Sequence, residues 1–455
     1  MGSLLNPTDS TSINMKDFAI IGGGISGLSA AYYLHKRGKS FVLLEKEAEV
    51  GGALKSSVLG DYRIERGANT VAMNGPLQEI IQDLGLEAQV ELPAEGNHNR
   101  YIYRSGQLHA LTQSPLSLFK SSLLSRKAKF RLIREPFIKS KADPSESVAQ
   151  FFSRRIGKEA YEFLVAAGLQ GIYAGIPEEM HMASVMPAIV EMEADKGSLL
   201  KGLIARQKEA KQSGAPKRTI FALKRGMQSL AKGLANYLED AIQCSAEIDE
   251  IRQTPEGFSL RVNGKVLEAK EILYTAPAHS AQMLSGLSPE LATALLRIPY
   301  APMMLLHLAY ERKSLGEKQL GFGFLIPPKE GKALLGAIWN SALFEQRAKK
   351  EHFLFTLFIG GARQPHLDPE DSHAHIEQAQ LEFEEIMGIK TQPVFREESF
   401  WKHAIPQYNL KHPEILSEIS HAKKELPGFH LLGNYIQGVA VGDCVLKAKK
   451  WAQDL

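Results

Sequence analysis

The sequence predicts an α/β protein in which one domain is assembled from separated stretches of chain. Three observations carry that prediction. A strand, a glycine turn and a helix follow one another over residues 18–37, a second glycine-rich turn enters a helix within the last 55 residues, and strand-like runs recur between residues 302 and 359. The composition suits a large folded core, with 44% of the 455 residues hydrophobic and 23% charged. Length suggests roughly three domain-sized units. Fifty-four Lys and Arg against 51 Asp and Glu leave a net charge of only +3, too small to argue for a nucleic-acid partner. The two cysteines, Cys244 and Cys444, form no CxxC pattern and fit a reducing compartment, which excludes a disulfide scaffold.

No run approaches the roughly 18 consecutive apolar residues of a membrane-crossing helix. Residues 1–14 hold no Lys or Arg and no long apolar stretch, so they read neither as a secretory signal nor as a transit peptide, and Asn6 breaks the myristoylation pattern. They read as a flexible extension or a cloning remnant ahead of Met15.

The first strong signal begins at Met15. Residues 18–21 form a short apolar strand, and the chain then turns through Gly22, Gly23, Gly24, Ile25, Ser26 and Gly27 into a helical stretch over 28–37. Gly22 suits a tight turn, Gly24 a close backbone approach to a pyrophosphate, and Gly27 the packing of helix on strand, with free amides at the helix start facing the phosphates. A second strand, 40–44, ends at Glu45, 21 residues after Gly24, where a carboxylate should accept the ribose hydroxyls of a dinucleotide. A glycine turn with a chance acid is the bland alternative. Strand, helix, strand and acid falling in register weigh against it and favour a Rossmann-like domain.

After Lys46 come the doublet Gly51-Gly52, a strand pair around 58–64, and Glu65-Arg66-Gly67-Ala68-Asn69-Thr70. A glycine doublet so soon after the ribose acid resembles the FAD-binding families built like amine oxidases and glutathione reductase, which implies FAD, held without a covalent link. Many relatives carry Arg or Lys after the doublet; Ala53 here implies a contact through backbone only. Further on, residues 219–238 resemble a loop and a helix entered at Gly226-Met227. Phe258, Leu260 and Val262 alternate into an Asn263-Gly264 hairpin turn, and 271–275 forms another strand. Residues 430–432 read as a buried strand, 433–444 as a glycine-rich turn, and 445–453 as the helix it enters. That helix offers a second N-terminus for the flavin end of the cofactor.

Asn99-Arg100-Tyr101-Ile102-Tyr103 through His109-Ala110-Leu111, Tyr173-Ala174-Gly175, Gly321-Phe322-Gly323-Phe324-Leu325-Ile326-Pro327, Ala404-Ile405-Pro406-Gln407-Tyr408 and Gly438-Val439-Ala440-Val441-Gly442-Asp443-Cys444 resemble the oxygen-dependent, FAD-containing protoporphyrinogen oxidases of the flavin amine oxidase superfamily. The match runs from Met15 to the C-terminus. The glycine fingerprint alone identifies only a superfamily, whereas the Ile-Pro-Gln-Tyr and Gly-Val-Ala-Val stretches in this order are close to family-specific. Family membership, and not the fold, carries the functional expectation.

The resemblance implies oxidation of protoporphyrinogen IX to protoporphyrin IX in haem biosynthesis, with the flavin taking a hydride and O2 reoxidising it to H2O2. It implies that Arg100 pairs with a substrate propionate, that Phe322 and Leu325 sandwich one pyrrole ring, that Phe358 lines the opposite wall, and that Gly171 offers a carbonyl to the pyrrole nitrogens. The implied cofactor site comprises Gly22, Gly23, Gly24, Ile25, Ser26, Gly27, Glu45, Lys46, Gly52, Ala53, Ala68, Asn69, Thr70, Val71, Ile248, Trp401, Asn434, Val439, Ala440 and Val441. No side chain stands out as an obligatory acid or base.

Each of these has a plainer reading. An Arg such as Arg100 is usually a surface ion-pair partner, and Phe322, Leu325 and Phe358 suit an ordinary core equally well. His366, Asp368, Asp371, His373 and His375 suggest a metal cluster at first sight. His373 and His375, two apart, would face different sides of a helix, so a solvated helix start is the better reading and no metal is expected. Cys444 reads as a small buried hydrophobe.

Residues 112–141 hold eight basic residues, Lys120, Arg126, Lys127, Lys129, Arg131, Arg134, Lys139 and Lys141, against the single acid Glu135. Leu116, Leu118, Phe119, Leu123, Leu124, Phe130, Leu132, Ile133, Phe137 and Ile138 are interleaved with them. Such a segment fits a lipid headgroup boundary rich in anionic lipid or, equally by pattern, the surface of a core. The resemblance implies the former, a helical membrane-facing insertion that closes the substrate cavity.

The expected organisation is therefore a discontinuous FAD-binding domain from residues 15–94, 215–285 and 400–455, a helical insertion over 95–214, and a mixed-sheet substrate domain over 286–399. The expected partners are a tetrapyrrole, O2 and a membrane surface, in a cytoplasmic, peripherally attached protein; oligomeric state is left open, a homodimer included. Rival readings are a coproporphyrinogen III oxidase, a flavin amine oxidase, and a prenylated-GTPase escort without flavin chemistry. Glu45 and both glycine turns oppose the escort, and the single aromatic Tyr435 in 433–438 opposes the amine oxidase.

Overall fold

The computed structural model describes residues 15–94, 99–111, 120–139, 143–212, 219–316 and 320–455. Residues 1–14, Leu116, Leu118, Phe119 and Lys141 lie outside the described residues.

The first of two seven-stranded sheets grows from the glycine fingerprint. Strand Lys16–Ile21 pairs in parallel with Phe41–Leu44 on one side and Lys265–Tyr274 on the other. Ile242–Gln243 extends the sheet beyond Phe41–Leu44, and Phe429–Leu431 joins the far end of Lys265–Tyr274, both in parallel. The first half of Lys265–Tyr274 instead pairs antiparallel with Gly257–Val262, to which Asn263 and Gly264, both at positive φ, connect it, and Ile248–Thr254 lies antiparallel beyond that strand. Parallel strands need long crossovers, so their neighbours come from distant stretches of chain. Helices Ile25–Lys36, Gln228–Leu238 and Val441–Gln453 cover one face, around Phe18, Leu28, Tyr32, Leu230 and Val445. The other face packs on Leu284, Leu291, Ile415 and Ile419.

The second sheet runs in the order Phe395–Pro406, Tyr300–Glu311, His352–Gly360, Leu334–Ile338, Gly323–Leu325, Arg100–Arg104 and Gln107–Leu111. Every pairing is antiparallel except Gly323–Leu325 with Arg100–Arg104. Its strand Tyr300–Glu311 is buried from Ala301 to Tyr310, as a strand covered on both faces must be. Met304, Leu306, Leu308 and Tyr310 pack on helix His373–Met387, while Met303 and Leu305 alternate to the opposite face.

Three expectations change here. Residues 219–238 read as loop and helix, yet Ile220–Leu223 is a strand, paired with Val71–Ala72 on one side and Val90–Glu91 on the other. Being central it is buried almost throughout, so four residues show no alternation to read. The stretch 95–214 reads as helical, yet Arg100–Leu111 is a hairpin turned at Ser105 and Gly106, both at positive φ, and it extends the second sheet. Strand Phe395–Pro406 likewise runs on past residue 399 within that sheet.

The rest of 120–212 is mainly helical, including Arg126–Ile133, Val148–Ile156, Ala166–Tyr173, Pro187–Lys196 and Leu199–Gln212. A capping box of Ser147 and Gln150 opens Val148–Ile156. Arg155, with no solvent exposure, pairs with Glu135 and lies 3.3 Å from Glu193. Arg154 bridges Glu146 and Glu193 at 2.7 Å each. Glu135 also accepts the Ser198 hydroxyl and the amides of Leu199 and Leu200, so it caps Leu199–Gln212 from a neighbouring turn. No described helix is long and apolar enough to cross a membrane.

Candidate functional site

The fingerprint makes a cradle from backbone. Gly22 stands at φ +107°, where a Cβ would lie 2.8 Å from the Ala276 nitrogen, and a Cβ on Gly27 would lie 2.0 Å from the Gly22 oxygen. The helix therefore sits directly on the strand end. Around Gly24 the space is open, with no atom within 4 Å of a Cβ position. Gly24 is also the N-cap of Ile25–Lys36, with no side-chain cap and no acid in the first turn, so the positive end of the helix dipole is left for an anion. Glu45 is buried beside it, accepting the amides of Gly23 at 2.6 Å and Glu47 at 2.9 Å. Lys46 is exposed, 3.7 Å from Glu47.

Three backbone layers stack on this turn. Gly51 donates to the Gly23 carbonyl at 2.8 Å, Gly52 faces the Gly24 Cα, and the Ala53 carbonyl meets Gly67 so closely that a Cβ there would be 2.0 Å away. Segment 67–74 continues to the second helix start. Asn74 donates to the Gly442 carbonyl at 2.7 Å and also caps Leu77. Helix Val441–Gln453 has Ala440 as N-cap and, like the first, no side-chain cap. The buried Cys444 thiol hydrogen-bonds Ser26, so the two helix starts are neighbours; burial pushes that thiol up and keeps it protonated.

The remaining predicted cofactor residues are placed as follows. Ile25 and Ala68 pack on the same core as Val441 and the buried Val71, and Thr70 is half-buried between Asn69 and Val71. Val439 packs on the helical cluster around Met180 and Tyr408, and the Asn434 carbonyl accepts the Tyr408 hydroxyl. Lys447 holds the 433–438 turn through the carbonyls of Gly433, Gln437 and Gly438, its pKa lowered by burial. Ile248 lies on the antiparallel pair, packed on the opposite core. The Trp401 indole donates to the Arg66 carbonyl. Two uncapped helix starts, an open Gly24 and a fixed carboxylate 21 residues on fit a dinucleotide.

A second set of predicted residues gathers on the other sheet. Arg100, paired in register with Gly323, has its guanidinium 4.5 Å from the centre of the Phe322 ring. Among the described residues it has no carboxylate partner. Its side chain is exposed, yet desolvation by the surrounding protein lowers its pKa. Leu325, Gly336, Phe358 and Leu305 form one cross-strand row, so their side chains share a face, and Leu325 leans over Gly336, where a Cβ would lie 3.2 Å from its Cδ2. Helix Ala166–Tyr173 lies across that face, with Gly171 so near Leu325 that a Cβ would be 2.9 Å from its Cδ2. Gly171 falls in the last turn, where carbonyls lack an intrahelical donor.

The face is wider than the sequence suggested. Ala174, Met303 and Leu305 form a cluster with Leu335, Phe358, Trp401, Ala404 and Ile405. The run Met303-Met304-Leu305-Leu306 was the only signal, and burial on both sides hides which members join this cluster. A separate cavity of about 570 Å³ lies among Lys158, Glu162, Glu178, Lys329 and Arg363, whose charges pair with one another. Among the described residues no three metal-ligating side chains converge.

Residues 25–455 match the family of flavin containing amine oxidoreductases. The chain is 27% identical to protoporphyrinogen oxidase 2, chloroplastic/mitochondrial, of Arabidopsis thaliana, across 97% of this chain and 94% of that one. It is 25% identical to coproporphyrinogen III oxidase of Bacillus subtilis, across 96% and 97%. A crystal structure of a candidate protoporphyrinogen oxidase from Exiguobacterium sp. 255-15 superposes with a TM-score of 0.77 at 22% identity, covering 96% of this chain and 98% of that one.

Proposed function

We propose, from the premise that the chain belongs to the flavin containing amine oxidoreductase family and so uses FAD, that it oxidises protoporphyrinogen IX to protoporphyrin IX with O2 as acceptor and H2O2 as co-product. Bound FAD supplies the hydride acceptor. The chain's own residues bind, orient and exclude water. Gly22 to Gly27, Glu45, the 52–53 and 67–71 segments and the start of Val441–Gln453 hold the dinucleotide.

The observation that carries the substrate reading is Arg100, a guanidinium stacked on Phe322 with no carboxylate of its own among the described residues. A carboxylate-bearing substrate completes that pair in bidentate fashion. The row of Leu325 and Phe358 beside it offers apolar walls to a tetrapyrrole macrocycle. A cation at one rim and an apolar face across the cluster of Met303, Leu305 and Trp401 suit propionates at one edge of the ring and vinyl groups at the other. Coproporphyrinogen III, with propionates on every ring, is the second reading, favoured by the Bacillus subtilis relative. Steady-state oxidation of both porphyrinogens, followed by porphyrin fluorescence, tests the choice. Faster turnover of coproporphyrinogen at equal concentration would reverse it.

We also propose peripheral attachment to an anionic membrane through the helical region. Phe130, Ile133, Phe137, Leu200, Leu203 and Ile204 are exposed there, Phe137 to 80%. Arg126, Lys127, Arg134 and Lys139 are exposed among them. Two of the basic residues turn inward instead: Lys129 donates to the Ser121 carbonyl and Arg131 to the carbonyls of Arg154 and Arg155.

A further inference from the structure

A buried chain of hydrogen bonds links the second sheet to the segment beneath the dinucleotide cradle. The Arg66 guanidinium donates to Ser399 Oγ at 3.0 Å. Ser399 Oγ lies 3.4 Å from His307 Nε2, and His307 Nδ1 lies 3.0 Å from Thr356 Oγ1. Thr356 donates to Asn340 Oδ1 at 2.8 Å, and Asn340 Nδ2 donates to Asn69 Oδ1 at 2.8 Å. Asn69 Nδ2 then donates to the Gly67 carbonyl at 3.1 Å. Ser399, His307, Thr356, Asn340 and Asn69 are all buried.

Both ends have fixed polarity. A guanidinium only donates, and a backbone carbonyl only accepts. Each hydroxyl between them carries one proton, so every link must point the same way, from Arg66 toward Gly67. Ser399 donates to His307 Nε2, and His307 carries its proton on Nδ1 and gives it to Thr356. His307 is neutral, because burial and then the nearby Arg66 charge lower its pKa to about 3. Arg66 itself is tethered by Glu397 at 2.8 Å and Ser57 at 2.7 Å. The chain starts and ends within one short segment, Arg66 to Asn69, after passing through three strands of the other sheet and the Asn340 turn.

That ring has a directional output. The Asn69 amide cannot exchange its oxygen and nitrogen, since Oδ1 must accept from Asn340 and Nδ2 must donate to Gly67. Among the described residues, one N–H and one lone pair of Asn69 stay uncommitted. Its segment lies against Ala53, beside the Gly52 that faces Gly24. We propose that Asn340, Thr356, His307 and Ser399 are positioning residues that fix the orientation of the Asn69 amide for FAD.

The test uses the full chain and reads FAD affinity by quenching of flavin fluorescence. Thr356→Val keeps the volume and breaks the chain, so it should weaken FAD about tenfold, the size of one net hydrogen bond, while Thr356→Ser stays within about twofold of wild type. Asn69→Ala and the Asn69→Ala/Thr356→Val double variant should bind FAD equally, because the relay acts through Asn69. Nitrogen-15 NMR of the wild-type protein should find His307 protonated on Nδ1 and not titrating near 6.5. Equal FAD affinity in wild type and Thr356→Val, independent losses in the double variant, or a His307 proton on Nε2 would each overturn the relay. A wild-type chain that takes up no FAD would instead sink the flavin assignment itself.

Discussion

In the dinucleotide cradle the close contacts are backbone on backbone, Gly27 on Gly22, Gly67 on Ala53 and Gly52 on Gly24. In the helical region at 120–212 they are charge on charge, Arg155 with Glu135 and Glu193, and Arg154 with Glu146 and Glu193. The cradle must admit a phosphate and so keeps side chains away. The helical region exposes seven large apolar side chains among its described residues and fixes its helices with ion pairs, whose value lies in completeness, since a lone buried charge is strongly unfavourable. One region is sensitive to an added atom and the other to a missing partner.

The largest effect should follow from removing a partner. Arg155→Ala removes the buried cation beside Glu135 and should destabilise the helical region by about 3–5 kcal/mol in urea unfolding, whereas Arg155→Lys, which keeps a charge there, should lose less. Adding an atom comes next. Gly27→Ala forces the helix off the strand and should lower apoprotein stability by about 1–3 kcal/mol together with FAD affinity. Gly24→Ala meets open space, so it should leave the apoprotein melting temperature unchanged and still weaken FAD, read by flavin retention on gel filtration. Equal melting losses in the two alanine variants would erase the contrast drawn here.

Acid should separate the regions further. Desolvation raises the Glu135 pKa, but hydrogen bonds from Ser198, Leu199, Leu200 and Arg155 outweigh it and hold the net value below 4.5. A depressed folded-state pKa means stability that is present above the unfolded value and lost as pH falls through the folded one. Hydrogen exchange below about pH 4 should therefore rise in 135–200 before it rises around Gly22 to Gly27. The smallest effect is at the surface: Lys127→Gln, which removes one charge, should weaken sedimentation with anionic liposomes by about 1 kcal/mol, and added salt should weaken it further. Unchanged binding would remove the electrostatic part of the attachment.

The same contrast explains what the sequence disclosed. Gly22, Gly24, Gly27 and Glu45 announce themselves because the cradle is local, a turn and one crossover in register. Glu135 reads as the single acid of the basic stretch 112–141 and Arg155 lies outside it, 20 positions on, so nothing in the sequence joined the two or showed their burial. Lys129 and Arg131 counted as surface cations for the same reason, until their carbonyl partners were known. The hairpin Arg100–Leu111 is local, turned at Ser105-Gly106, but its place in the second sheet was hidden because the neighbouring strand, Gly323–Leu325, lies more than two hundred residues away. Arg100, Phe322 and Leu325 were nonetheless named through family resemblance, and Arg100 stacks on Phe322 where strands Arg100–Arg104 and Gly323–Leu325 pair.

The central claim is that Arg100 receives a substrate carboxylate, and kinetics of Arg100→Ala on a porphyrinogen and its propionate ester tests it most directly. The pairing is remote from the hydride being transferred, so the loss should be uniform binding, on the order of 1–3 kcal/mol in KM with kcat falling less, and FAD content should stay normal. Wild type should handle the ester poorly, and the variant should discriminate less between acid and ester. An unchanged KM for the free acid in Arg100→Ala would contradict the account.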